Sequence, residues 1–265
     1  MKLDLKQKFI VISGASSGIG RELCKIFIQK YNATVLGIAR NEEKLRSLQK
    51  ELGANFTYCV FDVSVQKNWD NLAKDLTTQN ILPYLILNNA GVFPTFDKAI
   101  QTDPFALEQV LKTNFFSAVY SVKALLPLVA PKGGMVNICS SAALCSVVGT
   151  STYTATKCAL KGYTECLRLE EKDKYIGLIF PGTTKTELFR NDDATKNSAL
   201  DKIGMSPQKM AKKIARALLK RKPYAVLGWD AKCMHFIAKI APVKGLKFIC
   251  WVMKISKSKV FKRIF

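Results

Sequence analysis

Short apolar runs alternate with longer mixed stretches along most of the chain. Runs such as FIVIS and YLIL are apolar at nearly every position and rich in β-branched and aromatic residues, which is typical of parallel strands covered by helices on both faces. The segments between them, for example 41–52 and 104–130, are long enough for helices. This alternation predicts an α/β fold with a doubly wound parallel sheet. The predicted strands are Phe9–Ser13, 33–39, 56–61, 84–87, 134–139, 175–180 and Tyr224–Leu227.

Length and composition agree with one large domain and a short appendage. The chain has 265 residues, of which 48% are hydrophobic, and single hydrophobic cores stop growing at roughly 250–300 residues. No repeat, low-complexity tract or linker interrupts the pattern before residue 230. We therefore expect a main domain over 1–229 and a basic, apolar C-terminal helical tail over 230–265.

The positive charge is concentrated near the end of the chain. The formal net charge is +21, and residues 205–265 carry 16 Lys and Arg against a single acid, Asp230. The first 204 residues carry 25 basic and 19 acidic side chains and are only mildly basic. No nucleic-acid-binding motif accompanies the charge, so we do not expect a nucleic-acid partner. An anionic membrane surface remains a candidate partner of the tail.

The cysteines and the N-terminus indicate an intracellular protein. Eight cysteines form no CxxC pair and are accompanied by one histidine, His235, so no metal site is predicted and most cysteines are expected to be buried free thiols. The first residues, MKLDLKQKF, lack the apolar segment of a secretion signal, and no window offers 18 uninterrupted apolar residues. The expectation is a cytoplasmic protein that is not secreted, with peripheral membrane contact as an option.

A glycine-rich turn directly follows the first predicted strand. The segment SGASSGIG spans Ser13 to Gly20 and leads into the helical pattern RELCKIFIQK. Glycines between a strand and a helix let the backbone approach a pyrophosphate, whose charge is then stabilised by free N–H groups at the helix N-terminus. A glycine triplet alone would be weak, but its placement between strand and helix favours a nucleotide site.

Together with further motifs in order, this turn resembles the short-chain dehydrogenase/reductase family over residues 8–228. A minor departure is Ser13, where the family usually has Thr. The resemblance implies a Rossmann-type, seven-stranded parallel sheet of order 3-2-1-4-5-6-7 with helices on both faces, and a homo-oligomer, either a dimer or a tetramer. The further motifs are Asp62-Val63, Asn88-Asn89-Ala90-Gly91, Asn114, Ser140, Tyr153-x-x-x-Lys157 and Pro181-Gly182.

Tyr153 and Lys157 form the candidate catalytic pair. Four residues apart on a helix, they lie on one face, and a neighbouring ammonium is expected to lower the pKa of the phenol towards physiological pH. Such a phenol is a suitable general acid/base for interconverting a carbonyl and an alcohol. The resemblance implies that Lys157 also holds the ribose hydroxyls of the cofactor.

The resemblance also implies Ser140 and Asn114 as catalytic residues. Ser140 precedes Tyr153 by 13 residues, the family spacing, which selects it over Ser141, and its hydroxyl would bond the substrate oxygen as charge develops. Asn114 resembles the family's Asn that holds a proton-relay water near Lys157. The alternative is a helix-interior Asn bonded to its own backbone.

The end of the second strand indicates the cofactor. Ala39 stands where an NAD-selecting enzyme usually has an acid, and Arg40 follows, offering a planar cation suited to a 2′-phosphate. NADP(H) is therefore expected. The resemblance implies that Asp62 and Val63 lie beside the adenine and that the Thr186 hydroxyl contacts the carboxamide or pyrophosphate. The full expected set is Gly14, Ser16, Ser17, Gly18, Ile19, Gly20, Arg40, Asn41, Asp62, Val63, Asn89, Ala90, Gly91, Tyr153, Lys157, Pro181, Gly182, Thr184 and Thr186.

Small and apolar residues near the tyrosine favour a lipophilic ketone or alcohol over a sugar. Residues 183–205 stand where the family carries a mobile lid. The resemblance suggests hydroxysteroids, including bile acids, as the favoured substrates, with 3-oxoacyl or other long-chain lipid carbonyls as the alternative. A nucleotide sensor without chemistry is disfavoured because the catalytic set is retained. The expected substrate contacts are Phe93, Ser140, Ala142, Val148, Tyr153 and Phe189.

The last quarter of the chain is predicted to be helical. Ser206 and Pro207 start a helix as N-cap and first residue, and its apolar positions recur every four residues at 210, 214 and 218. Beyond Trp229, short apolar runs are punctuated by lysines, and Pro242 and Gly245 are expected to divide two helical pieces. This tail could lie in a membrane interface, cover the substrate pocket or contact a neighbouring subunit.

Overall fold

The computed structural model describes residues 3–189, 204–255, 261, 264 and 265, with the side chain of Phe189 outside that description. Within these residues, all strand pairs of the main sheet are parallel, and the strands lie in the order β3-β2-β1-β4-β5-β6-β7. The predicted order is confirmed. The strands are β1 (Phe9–Ser13), β2 (Thr34–Ala39), β3 (Phe56–Val60), β4 (Leu85–Asn88), β5 (Gly134–Ile138), β6 (Tyr175–Pro181) and β7 (Tyr224–Leu227).

Helices connect the strands and continue past β7. The helix predicted over 104–130 is divided: a π-helical turn, Lys112–Phe116, separates two α-helices, and a 3-10 turn at Leu126–Leu128 follows. Pro127 within that turn has no backbone N–H to donate. The α-helices are α1 (Gly18–Tyr31), α2 (Glu42–Leu52), α3 (Gln66–Thr78), α4 (Pro104–Leu111), α5 (Ser117–Leu125), α6 (Ser151–Glu170), α7 (Pro207–Leu219), α8 (Trp229–Ile240) and α9 (Pro242–Ile255).

Both faces of the sheet are covered by apolar helix faces. Along β1, Ile10 and Ile12 pack in one core with residues of α1 and α7, whereas Val11 packs in the other core with residues of α3 and α5. Successive side chains of a strand point to opposite faces, so a strand buried on both sides must be apolar throughout. This is why the FIVIS run contains no charge.

The helices of the last quarter begin at the residues that the sequence predicts, but one predicted break is absent. Ser206 caps α7 by accepting a hydrogen bond from the Lys209 N–H, with Pro207 in the first turn. Pro242 begins α9, as predicted, but Gly245 does not divide the tail. It lies inside α9, where a Cβ would come 2.8 Å from the carbonyl oxygen of Ile237. The glycine therefore allows α9 to pack closely on α8.

The cysteines are free, but fewer are buried than the sequence suggested. Cys24, Cys139 and Cys145 are buried, whereas Cys158, Cys166 and Cys233 are exposed on α6 and α8. An apolar neighbourhood in sequence does not decide which side of a helix faces the core. Among the described residues, no helix has the length and hydropathy needed to cross a membrane.

Candidate active site

The glycine-rich turn lies at the carboxyl end of β1 and leads into α1. Gly14 and Gly18 have φ values of +69° and +52°, a region that side chains with a Cβ rarely adopt. A Cβ at Gly14 would come 2.9 Å from Nδ2 of Asn89, and one at Gly20 would come 2.6 Å from the same atom. The glycines therefore bring this turn against the loop after β4.

A hydroxyl and an amide fix the turn to that loop. The Ser13 hydroxyl accepts hydrogen bonds from the N–H groups of Asn89 (3.0 Å) and Ala90 (3.1 Å), and Nδ2 of Asn89 donates to the Ser13 carbonyl at 3.0 Å. Ser13 thus provides these bonds without the additional methyl group of threonine. Two neighbouring strand ends are held as one rigid edge.

Arg40 and Asp62 face each other beyond the ends of β2 and β3. The Arg40 guanidinium is 3.7 Å from the Asp62 carboxylate and is largely exposed. Burial acts to raise the pKa of Asp62, but hydrogen bonds from Ser64 and the charge of Arg40 lower it below its usual value. The Asn41 side chain caps α2 by accepting from the Lys44 N–H at 2.8 Å. Arg40 is therefore held beside the cavity by a carboxylate that stays ionised.

Tyr153 and Lys157 lie on one face of α6, as their spacing predicts. Both are buried, with 7% and 3% of their surface exposed. The Lys157 Nζ is 5.6 Å from the centre of the tyrosine ring and donates to the Ile138 carbonyl at 3.4 Å. The Ser140 side chain lies close enough to the Tyr153 hydroxyl to lower its pKa. The three residues thus meet at the carboxyl end of β5.

The expected lowering of the tyrosine pKa is wrong for this arrangement. Burial raises the pKa of Tyr153, and the nearby Ser140 side chain only partly opposes that effect. Burial also lowers the pKa of Lys157. Loss of water disfavours both the phenolate and the ammonium, and it is the largest effect on each pKa. Tyr153 is consequently a neutral phenol at physiological pH.

Asn114 lies in the π-helical turn between α4 and α5. Its Oδ1 accepts from the Val92 N–H at 2.7 Å, and its Nδ2 donates to the Val92 carbonyl at 2.9 Å and to the Thr156 hydroxyl at 3.1 Å. The side chain therefore bonds the loop after β4 and α6, not its own helix backbone. A Cβ on Gly91 would lie 3.3 Å from the Asn114 Oδ1 and 3.5 Å from the Lys157 Nζ, which places both groups behind that glycine.

A cavity of about 730 Å³ brings most of the predicted residues together. Asn114 and Gly20 are not on its wall; Asn114 acts from behind Gly91, and Gly20 packs against the turn. Among the described residues, no group of three or more His, Cys, Asp or Glu could hold a metal ion. The predicted residues that line the cavity are Gly14, Ser16, Ser17, Gly18, Ile19, Arg40, Asn41, Asp62, Val63, Asn89, Ala90, Gly91, Phe93, Ser140, Ala142, Tyr153, Lys157, Pro181, Gly182, Thr184 and Thr186.

Two predicted substrate contacts have different outcomes. Val148 does not line this cavity; its neighbour Val147 does, and Val148 lines a separate small depression with Ser151 and Ile264. Val148 also packs against the aromatic cluster of Phe93 and Tyr153, and its contact with the substrate stays a prediction. The side chain of Phe189 and most of the predicted lid, 190–203, lie outside the described residues.

Comparison with known proteins agrees with this geometry. The sequence model of the family described as short chain dehydrogenase matches residues 8–197. The bovine dehydrogenase/reductase SDR family member 7B is 31% identical, over 99% of this chain and 86% of the relative. The chain belongs to the short-chain dehydrogenase/reductase family.

Two further relatives add detail. The benzil reductase ((S)-benzoin forming) of Saccharomyces cerevisiae is 32% identical over 76% of this chain and 79% of its own length. A putative short chain dehydrogenase of Shigella flexneri, solved in complex with NADP, is 26% identical with a TM-score of 0.76 and covers 87% of this chain and 100% of its own. This family member is accordingly an oxidoreductase with the family's sheet.

The tail of this dehydrogenase/reductase forms part of the cavity wall, which the sequence offered only as one option. Residues of α8 and α9, together with Phe261, line the cavity. Their spacing of three or four residues is the signal that could have identified them. The tail residues on the wall are Trp229, Asp230, Cys233, Met234, Ile237, Phe248, Ile249, Val252, Met253 and Phe261.

Asp230 is a site residue that motif analysis missed. Its Oδ2 accepts from the Thr183 N–H at 2.7 Å, directly after β6. Its carboxylate also lies against Gly182 and Gly228, where a Cβ at Gly228 would come 2.5 Å from Oδ1. The only acid among residues 205–265 thus joins the start of the tail to the start of the predicted lid. Its isolation among basic residues was the available signal.

We expect Asp230→Ala to weaken closure of the site. Loss of the acceptor leaves the partly buried Thr183 N–H unpaired, at a cost of about 1–3 kcal/mol, so KM for cofactor and substrate should rise by about tenfold. Steady-state kinetics measure this effect. Asp230→Asn is the matched control because it keeps an acceptor oxygen; equal kinetics for Asp230→Ala and the native protein would contradict the role.

Proposed function

We propose that this dehydrogenase/reductase uses NADP(H) to interconvert a ketone and a secondary alcohol on a small lipophilic substrate. The observation that carries the proposal is the position of the Tyr153 hydroxyl. It lies beside Ser140 and Lys157, where the glycine-rich turn and an apolar wall share one cavity. A nucleotide and a carbonyl bound in that cavity would meet at this hydroxyl.

The glycine-rich turn fits a dinucleotide. Side chains at Gly14 and Gly18 would fill the space against Asn89 and Thr186, so the backbone itself forms the floor of the cavity. The first turn of α1 contains no acid, and the N-terminal end of a helix favours a phosphate group. These features support binding of a pyrophosphate at the turn.

Arg40 supports NADP(H) over NAD(H). Ala39 supplies no carboxylate for ribose hydroxyls, and the exposed Arg40 guanidinium lies at the cavity edge, oriented by Asp62. Arginine offers paired N–H donors that match a phosphate. The similar Shigella flexneri protein was solved with NADP, which agrees with this choice.

Reduction of a ketone requires a proton donor at the carbonyl oxygen of the substrate. NADPH supplies the hydride when bound. Because burial keeps Tyr153 in its phenol form, the phenol can donate its proton to the carbonyl oxygen as negative charge develops there, and Ser140 can stabilise the same oxygen. In the oxidative direction Tyr153 takes the proton back. Lys157 and Asn114 lie together behind Gly91, in position to hold ribose hydroxyls and a relay water.

The retained catalytic set favours an enzyme over a nucleotide sensor. A protein that only binds NADP(H) has no need for a buried Tyr–Ser–Lys group at the junction of two subsites. Keeping Lys157 buried is costly, since burial shifts its pKa against the charged form. A catalytic role explains that cost.

The cavity wall supports a lipophilic substrate. Phe93 packs on Tyr153 with ring centres 5.2 Å apart and on Phe96 at 4.7 Å. Phe261 from the tail joins the same cluster, which also includes Val147 and Leu188. The yeast relative is named as a reductase of benzil, an aromatic diketone. Hydroxysteroids, including bile acids, remain our favoured substrates, with 3-oxoacyl or other long-chain lipid carbonyls as the alternative.

We expect Tyr153→Phe to lower kcat by about 10²- to 10⁴-fold, because the proton donor is lost, while NADPH binding measured by fluorescence is retained. Tyr163→Phe is the matched control on the same helix and should keep activity. Substantial turnover by Tyr153→Phe would remove this residue from the mechanism.

The rate of ketone reduction by the native protein should be nearly constant around neutral pH, and the rate of alcohol oxidation should rise with pH, since the raised pKa keeps Tyr153 protonated.

Arg40→Ala should reduce selectivity for NADPH. Charge-assisted hydrogen bonds contribute about 1.5–3 kcal/mol, so KM for NADPH should rise about 10- to 100-fold while KM for NADH changes little. Initial rates with the two cofactors measure the ratio. Arg46→Ala, on exposed α2 surface, is the control with the same loss of charge. An unchanged ratio in Arg40→Ala would assign selection to another group.

Chain length should control turnover of simple ketones. Each buried methylene contributes about 0.8 kcal/mol, so kcat/KM should rise by roughly fourfold per added carbon along a series of 2-alkanones. A steroid ketone and a 3-oxoacyl thioester, tested beside it, distinguish the two favoured classes. A ketose that is reduced as well as the longest alkanone would exclude a lipophilic pocket.

A further inference from the structure

The tail carries an exposed face that is apolar as well as basic. Large apolar side chains on α8 and α9 face solvent, among them Trp229 (69% exposed), Phe236 (63%), Ile240 (66%) and Trp251 (56%). A helix packed on a core normally presents polar side chains to water. Here each helix presents apolar residues on its outer side as well, and a patch of this kind marks an interaction surface.

The exposed residues fall on one side of each helix. On α8 they are spaced by three or four positions, at 229, 232, 236 and 240, and on α9 at 244, 247, 251 and 255. Residues with this spacing share a helix face. The inner sides, with Ala231 on α8 and Gly245 and Ile249 on α9, are buried. We name the two outer sides together the tail face.

The charge of the tail face has one sign. Its exposed cations are accompanied by no carboxylate of the described tail other than Asp230, which is bonded to the Thr183 N–H. Long lysine side chains can lay their methylenes along an apolar surface and direct the ammonium group towards anionic headgroups. The exposed lysines of the tail face are Lys232, Lys239, Lys244, Lys247 and Lys254.

This combination selects the partner. A second copy of the chain would bring lysines against lysines, which opposes association. The phosphates of a nucleic acid would neutralise the lysines but would leave rings such as Phe236 and Trp251 without an apolar environment. An anionic lipid surface satisfies both, because helices of this kind bury their apolar side at the headgroup boundary while lysines contact lipid charge. We propose that the tail face docks on an anionic lipid bilayer.

The tail face is continuous with the mouth of the active-site cavity. Trp229, Phe248 and Val252 line the cavity and are also 69%, 51% and 42% exposed. These side chains therefore form a rim shared by the cavity and the docking surface. Given the proposed function, a lipophilic substrate can pass from the bilayer to Tyr153 along this rim without crossing water.

Vesicle sedimentation of the full chain tests the docking. The native protein should sediment with vesicles of phosphatidylcholine containing one-third phosphatidylserine, sediment far less with pure phosphatidylcholine, and be released by salt. Each lysine near the surface contributes about 1 kcal/mol, so the variant K239Q/K244Q/K247Q should lose affinity on the order of a hundredfold. Equal binding to neutral and anionic vesicles would overturn the charge argument.

A matched charge control distinguishes the tail face from general basicity. Lys209, Lys212 and Lys213 are exposed on α7, outside the tail face. The variant K209Q/K212Q/K213Q has the same net charge as the tail variant and should keep most vesicle binding. If the two variants lose binding equally, docking is not a property of the tail face.

An apolar variant tests the other half of the surface. Phe236 and Ile240 do not line the cavity, so F236S/I240S should keep activity on a water-soluble ketone while vesicle binding falls at least tenfold. Solution mass is measured in parallel. If the native protein does not bind vesicles and this variant dissociates a dimer, the tail face is an interface between copies and the proposal is overturned.

Substrate delivery is measured separately from docking. With a long-chain ketone held in anionic vesicles, the native protein should show higher kcat/KM than F236S/I240S, whereas the two should be equal on the soluble ketone. Vesicle binding without turnover of any ketone would refute the proposed function and leave docking intact. Equal use of the vesicle-held ketone by both proteins would refute entry from the bilayer.

Discussion

The parallel pairing of the strands is the constraint on which the rest of this protein depends. It places the carboxyl ends of β1, β2, β4, β5 and β6 at one edge of the sheet, where each chain segment must turn into a helix or a loop. Ser13 and Asn89 then join two of those ends through hydrogen bonds of about 3 Å. Groups far apart in sequence thereby line one cavity, and helix N-termini and catalytic side chains share it.

Burial determines the chemistry of that edge. Tyr153 and Lys157 stand on one helix face, yet their environment shifts both pKa values towards the neutral forms. The sequence suggested the opposite for the tyrosine, because spacing reveals which charges are neighbours and does not reveal how much water they lose. A phenol that is protonated at neutral pH matches the acid needed for reducing a ketone.

The tail connects the site to its surroundings. Asp230 bonds the loop after β6, Gly245 lets α9 approach α8, and Phe261 joins the aromatic cluster around Phe93. The positive charge first noticed as a property of the whole chain lies mainly on this appendage. Its outer side is apolar and basic, and its inner side is part of the cavity wall.

The sequence by itself determined the sheet, its order through the family resemblance, the glycine-rich turn and most of the cavity-lining residues, because period, glycine placement and motif spacing are local properties. Contacts between distant segments decided the rest. Gly245 is a packing position and not a break, and Asp230 acquires its role only beside Thr183. Which side of a helix is buried, and how strongly, depends on what packs against it, and only the tertiary structure decides that.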